Sequence, residues 1–378
     1  MTRIACFFPF GSGPEFAGLH LELLPLQAGF LRAGHTLDIY TIRDGRYALH
    51  SSTERPIEVS KPVHGSRDGL PADLHWPIAR FLYEVEGTIV PPFLRFSDLS
   101  LALSVRSSAL LGYDGFISFK PWFRSVYPAL QLSREFKVPA VLLLDDYDVT
   151  PRARFPHSFV SVFTNSVELS RVYSKWSPIT VEHTLETWVR STRPSAETTL
   201  KTPGSVLLML PSTGVSDLDM GGIVGALTSL VEVKRLIVVG ANKSFQSSLK
   251  RWPREVTFVN RVPRVEVLHM IDSSSVVVVP QPDNIYGSMK RSGRLLECLA
   301  RGTPVAVPAR GESERIVEEA GCGFTYDPSH PRSLLPGIKE LLSSDSLRVA
   351  QGRRGWDYTL AAPSWDDHAT RILKSFLI

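Results

Sequence analysis

The densest group of chemistry-bearing side chains lies in residues 279–308, VPQPDNIYGSMKRSGRLLECLARGTPVAVP. Lys290, Arg291 and Arg294 gather positive charge there, and Glu297 adds a carboxylate. Small polar residues precede them: Asn284, Gly287, Ser288 and Ser292. Small residues let backbone amides approach an anion, and a guanidinium grips phosphate oxygens two at a time. The combination suits a phosphorylated ligand. In a continuous helix of about a dozen residues, Lys290, Arg294, Glu297 and Arg301 would share one face, with Leu295, Leu296 and Leu299 on the other. A solvated, salt-bridged helix surface has the same charge pattern, but it does not account for the small residues ahead of it.

A second cluster, Asp145-Asp146-Tyr147-Asp148, follows the apolar run AVLLL. Carboxylates at a strand end admit three readings. They can ligate Mg²⁺ or Mn²⁺, contact or deprotonate a substrate hydroxyl, or simply form a turn. Gly11-Ser12-Gly13 with Gly18 is not a GxGxxG pattern and argues little for a nicotinamide cofactor. The stretch FKPWFR at 119–124 mixes aromatics and cations, which fits either a lipid-linked acceptor or membrane surface, or side chains snorkelling from a helix.

These groups need a scaffold, and the periodicity supplies an α/β one. Strand-like runs at 4–8, 37–41, 115–119, 140–144 and 160–164 alternate with amphipathic stretches at 21–33, 122–136 and 166–175. Residues 191–204, STRPSAETTLKTPG, read as a linker. The alternation restarts with strands at 206–210, 236–240, 256–259, 275–280 and 304–307. Aliphatic runs such as VVVV at 276–279 suit a parallel sheet covered on both faces. The segment 51–71 reads as an irregular excursion and 76–111 as two helices. Two Rossmann-like domains follow: 1–190 joined by a C-terminal helix at 362–378, and 205–361.

Composition limits the function classes. The 378 residues are 43% hydrophobic and 21% charged with a net charge of +4, which excludes a disordered chain. Charges balance over residues 1–190, so the basic excess sits in the remainder. That excess is too small for a nucleic-acid binder and in proportion to a small anionic ligand. No run is long enough for a membrane-spanning helix, and MTRIACFFPFGSG reads as a first strand rather than a signal peptide. Cys6, Cys298 and Cys322 are odd in number and far apart, so buried thiols in a reducing, cytoplasmic compartment are expected.

The string SGRLLECLARGTPVAVPARGESERIVEEAGCGFTYDP resembles the signature of glycosyltransferase family 4, retaining sugar transferases of the GT-B fold. Further likenesses follow in the family's order. They are Gly18, FLRAGHTLDIYT, VPAVLLLDD, VTFVNRVPRVEVLHMIDSSSVVVVPQ, and Ser364-Trp365-Asp366 at the start of a terminal helix. The resemblance implies two Rossmann-like domains facing across a cleft, with the C-terminal helix crossing back to the first. The second domain would hold a nucleotide-sugar and the first a glycan, lipid-linked or small-molecule acceptor. No metal or other cofactor would be required. Glu297 would bond the ribose, and Arg294 the diphosphate with help from Lys290 and Arg291. Arg261 and Val262 would contact the base, and Gly11 and Gly13 would line the diphosphate loop. Asp145 and Asp146 stand at the family's His-Asp position. The chain departs from the family pattern at Met289, where a second Glu is usual. It departs again in LMLPSTGVSDLDMGG, where Thr213 and its neighbours replace a cationic pair, and at Ser118-Phe119-Lys120, in place of His-x-His. The departures keep two other readings open, a nucleotide-sugar 2-epimerase and a catalytically weak GT-B binding module.

Overall fold

The computed structural model describes residues 1–9, 22–43, 46–50, 110–145, 155–180, 201–211, 218–240, 256–260 and 262–377. The chain divides into two compact units, Met1–His183 with Pro363–Ile378, and Thr184–Ala362.

The first unit is built on β1 (Arg3–Phe7), β2 (Thr36–Arg43), β3 (Arg46–Leu49), β4 (Gly115–Phe119), β5 (Ala140–Leu144), β6 (Ser161–Thr164) and β7 (Ile179–Thr180), in the order β3-β2-β1-β4-β5-β6-β7. Neighbours pair in parallel except β2 with β3. β4 and β5 are buried at every residue, which is why they read as apolar runs rather than as an alternation. Helix α1 (Leu24–Arg32) leads into β2, and α2 (Phe123–Phe136) joins β4 to β5. After β6 comes α3 (Val167–Val172), followed by a single 3₁₀ turn at Ser174–Trp176. The helix expected over 166–175 is therefore broken where Tyr173 leaves helical geometry.

The second unit carries β8 (Ser205–Met209), β9 (Arg235–Val239), β10 (Val256–Val259), β11 (Val276–Val278), β12 (Val305–Pro308) and β13 (Gly323–Tyr326), all parallel in the order β10-β9-β8-β11-β12-β13. Its helices are α4 (Met220–Thr228), α5 (Arg264–Ser273), α6 (Ile285–Met289), α7 (Gly293–Ala300), α8 (Gly311–Ala320), α9 (Leu334–Ser343) and α10 (Asp345–Ala361). Apolar clusters cover both sheet faces. Val206, Leu208 and Val276 pack with α4 and α9, while Leu207, Val277 and Val305 pack with α5, α7 and α8. The strand order reverses between β8 and β11. In sheets of this type ligands bind in the crevice beyond the carboxyl ends of the strands at that reversal.

The last helix, α11 (Trp365–Leu373), belongs to the first unit and packs on α1. A side chain at Gly29 would place Cβ 2.6 Å from the Trp365 carbonyl oxygen, so the glycine sets how closely the two helices approach. Ser364 opens α11 with a capping box: its Oγ accepts from the Asp367 amide at 3.2 Å while Asp367 accepts from the Ser364 amide at 2.8 Å.

Candidate functional site

In the second unit the chain leaves β11 at the strand-order reversal and forms α6 and then α7. Asn284 caps α6, its Oδ1 accepting from the Gly287 amide at 3.0 Å, and Gly287 is buried. The Ser288 hydroxyl turns back onto the Ile285 carbonyl at 3.0 Å. Ser292 is buried and caps α7 by accepting from the Leu295 amide at 3.4 Å. Lys290 and Ser292 are extended, so one continuous helix is replaced by a five-residue helix, a break and an eight-residue helix. The cause is local. A serine cap needs non-helical backbone, and Gly293 adds no helix propensity to override it. Lys290 consequently lies outside α7 and off the face it was expected to share.

Arg294 and Glu297 remain on that helix and Arg301 caps its C-terminus, but their stripe is turned inward rather than solvated. The Arg294 guanidinium donates to the carbonyl oxygen of Met209, the last residue of β8. That contact fixes it at the carboxyl edge of the sheet beside the reversal. Burial lowers its pKa to about 10, offset in part by the nearby Cys298 and Glu297. It therefore keeps its charge at neutral pH. Glu297 is nearly buried and paired with Arg264, whose Nε donates to Oε1 at 2.6 Å. Arg301 is bidentate on Asp272, both being almost fully buried. Arg291 is also buried, at 2% exposure.

Neighbouring groups complete this edge. Asp283 pairs with Arg310. Gln281 Nε2 donates to Ser313 Oγ at 2.8 Å, tying the strand end to the start of α8. Gly311 has φ +65°, and a Cβ there would lie 2.0 Å from the Ser288 carbonyl oxygen, so only glycine lets α8 begin against α6. Val262 is half-buried and packs against the apolar cluster beneath α5. Sequence reasoning missed Arg264 and Arg310. The signal for Arg264 was its place at the first turn of α5, directly after a proline suited to helix starts.

In the first unit, Asp145 stands just past the end of β5 and forms a 2.7 Å ion pair with Lys120, which follows β4. Lys120 is held at φ +68° without being a helix cap, with its amide donating to the Leu143 carbonyl. The Ser125 hydroxyl donates to its carbonyl at 2.8 Å. A non-glycine residue held in left-handed geometry at a sheet edge marks a place where neighbours over-determine the backbone. Gly11, Gly13, Asp146, Thr213 and Arg261 lie outside the described residues, as do Tyr147, Asp148, most of the 76–111 segment and the 51–71 excursion.

The expected thiols are buried and free. Burial pushes Cys322 up to about 12 and raises Cys6 and Cys298 as well. Among the described residues, no cluster of three or more His, Cys, Asp or Glu side chains is placed to hold a metal ion. Among the same residues, no helix is long and apolar enough to cross a membrane.

Comparison with known proteins identifies the fold. Residues 223–374 match a family described as glycosyl transferase-like. A curated relative, D-inositol 3-phosphate glycosyltransferase from Corynebacterium urealyticum, is 26% identical over 123 residues, 32% of this chain and 28% of that protein. Sucrose-phosphate synthase from Thermosynechococcus elongatus superposes with a TM-score of 0.67 at 15% identity, covering 99% of this chain and 98% of that one. Anabaena HepE in complex with UDP gives a TM-score of 0.58 at 12% identity, covering 99% of both chains. It is also known in complex with UDP-glucose.

The chain has the GT-B fold of these structures. The resemblance first read around Glu297 thus holds at the level of fold, and the two α/β sheets described above are the Rossmann-like halves of that fold. The matched segment begins within α4 and runs past α11, and so includes Arg264, Arg294, Glu297 and Arg301.

Proposed function

We propose that this GT-B chain transfers a sugar from a nucleotide-diphosphate sugar, UDP- or GDP-linked, to a hydroxyl acceptor. The reaction needs no metal and retains the anomeric configuration, and it serves glycan, glycolipid or natural-product synthesis in the cytoplasm. The observation that carries the reading is Arg294, a charged guanidinium half-buried at the carboxyl edge of β8, at the crevice where such sheets bind nucleotides. UDP in the HepE structure supports the class of donor.

In this reading the diphosphate meets Arg294 and the first amides of α7. Arg294 stabilises the negative charge that grows on the diphosphate as the glycosidic bond breaks, which is worth more in a partly desolvated site than in water. Lys290 and Arg291 add positive charge on the approach from α6. Glu297, oriented by Arg264, accepts from the ribose hydroxyls. Asn284, Gly287 and Ser288 shape the loop nearest the transferred sugar. In the first unit Asp145, steadied by Lys120, accepts from the hydroxyl of the acceptor.

The test is thermal unfolding with UDP, GDP, ADP and dTDP, each with Mg²⁺ and with EDTA. Ligand at a hundred times its dissociation constant adds about 2.7 kcal/mol of stability. A shift with one nucleotide that survives EDTA is expected. A shift that requires Mg²⁺ argues against the metal-free site, and no shift with any nucleotide argues against catalysis on a nucleotide-sugar. Product analysis with the matching sugar nucleotide separates transfer, which needs an acceptor, from epimerisation, which does not.

A further inference from the structure

Along the second sheet, β11 and β12 lie side by side next to β8, whose last residue holds Arg294. Asp283, in the loop after β11, is ion-paired with Arg310, which follows β12. Two glycines fix this junction. A Cβ at Gly287 would lie 2.0 Å from the Pro282 carbonyl oxygen, so the turn carrying Asp283 folds tightly onto α6. A Cβ at Gly311, next to Arg310, would meet the Ser288 carbonyl oxygen at the same 2.0 Å. Other polar side chains of the loop are engaged within the unit: Asn284 with the Gly287 amide, Ser288 with the Ile285 carbonyl and Gln281 with Ser313. The Asp283 and Arg310 side chains instead stay 39% and 40% exposed. A pair this open adds little to stability. It does present a carboxylate that accepts hydrogen bonds beside a guanidinium that donates them. Adjacent sugar hydroxyls each donate and accept, and the pair answers both needs.

We infer that Asp283 and Arg310 read adjacent hydroxyls of the transferred sugar, Asp283 accepting and Arg310 donating, and so set donor specificity. The inference rests on reading the second unit as the nucleotide-sugar site. On that reading Glu297, held by Arg264 at the start of α5, takes the ribose, and Arg294 takes the diphosphate. Ribose and sugar occupy opposite ends of a diphosphate. The sugar therefore extends away from α5, which follows β10, and toward the ends of β11 and β12. The donor is narrowed to a sugar with two neighbouring free hydroxyls, and a sugar lacking them would bind little better than its nucleotide.

The experiment is titration calorimetry on the full chain with UDP, UDP-glucose, UDP-galactose, GDP and GDP-mannose as probes. In the wild type at least one sugar nucleotide is expected to bind about tenfold tighter than its own nucleotide, because hydrogen bonds to charged groups are strong. Asp283→Ala is expected to abolish that advantage while UDP and GDP keep their wild-type affinity. Analogues of the favoured donor, each lacking one hydroxyl, should lose affinity in the wild type at adjacent positions and lose none in Asp283→Ala. Thermal melting checks that the variant is folded. Should it not be, Arg310→Met, which leaves the carboxylate unheld, carries the same comparison. Unchanged discrimination in a folded variant, or no sugar adding affinity to its nucleotide, overturns the inference and leaves the nucleotide site standing. An equal fall for nucleotide and sugar nucleotide also overturns it, by making the pair a prop for the diphosphate site. No binding of any nucleotide to the wild type refutes the donor reading and the inference with it.

Discussion

Replacing Asp272 with Ala probes what holds α7 in place. Asp272 on α5 receives Arg301 Nε at 2.7 Å and a second guanidinium nitrogen on its other oxygen, and both side chains are about 6–7% exposed. Removing the carboxylate leaves a buried guanidinium without its counter-charge. Breaking a buried pair from one side costs about 3–5 kcal/mol. At about 2–4 °C per kcal/mol for a unit of this size, the melting temperature of the second unit should fall by roughly 6–20 °C. Urea unfolding followed by circular dichroism gives the same quantity as a lower midpoint at unchanged slope. The double variant Asp272→Leu with Arg301→Met should recover most of the loss, because it removes both charges and leaves apolar volume. If Asp272→Ala costs less than about 1 kcal/mol, Arg301 is solvated and the inward-facing stripe on α7 is wrong.

Three other perturbations follow from the same geometry. Gly311→Ala forces a Cβ to within 2.0 Å of the Ser288 carbonyl at a φ of +65°, so it should destabilise the second unit by about 2 kcal/mol or more, read by urea midpoint. Ser364→Ala removes the capping box of α11 and should cost about 1 kcal/mol, checked by thermal melting. Burial lowers the Arg294 pKa to about 10, so diphosphate binding should hold through neutral pH and weaken as pH rises through 10. Stability has the opposite sign there. Above pH 10 the unfolded chain keeps this proton while the folded chain has lost it, so this group's contribution to folding rises with pH. Pyrophosphate titrations of wild type and Arg294→Met, followed by calorimetry, should show a steeper high-pH decline in wild type than in the variant.

Much of the architecture is legible in the residues themselves. VVV at 276–278 is buried on both sides, so its lack of alternation announced a parallel sheet with helices above and below. The positions of Arg294 and Glu297 on one helix were legible from spacing. Their burial was not, because the groups that neutralise this stripe, Arg264 and Asp272, come from a helix about thirty residues earlier in the chain. A charge pattern carries no record of partners so distant in sequence. Lys290 was misplaced for a different reason. The spacing rule assumes an unbroken helix, and the Ser292 cap interrupts it. Lys120 was visible as a cation in FKPWFR and as a departure from a family motif, whereas its left-handed backbone and its hold on Asp145 exist only in three dimensions.

Whether Arg294 binds the diphosphate of a nucleotide-sugar is read from the affinity of UDP and GDP for Arg294→Met and Arg294→Lys by titration calorimetry. Losing a charge-assisted, two-pronged contact is worth about 1.5–3 kcal/mol, or roughly 10–150-fold in dissociation constant. That loss is expected in Arg294→Met, with a partial loss in Arg294→Lys and unliganded melting temperatures high enough for both variants to be folded during the assay. Wild-type affinity in a folded Arg294→Met would contradict it and leave the guanidinium as no more than a clasp on the end of β8.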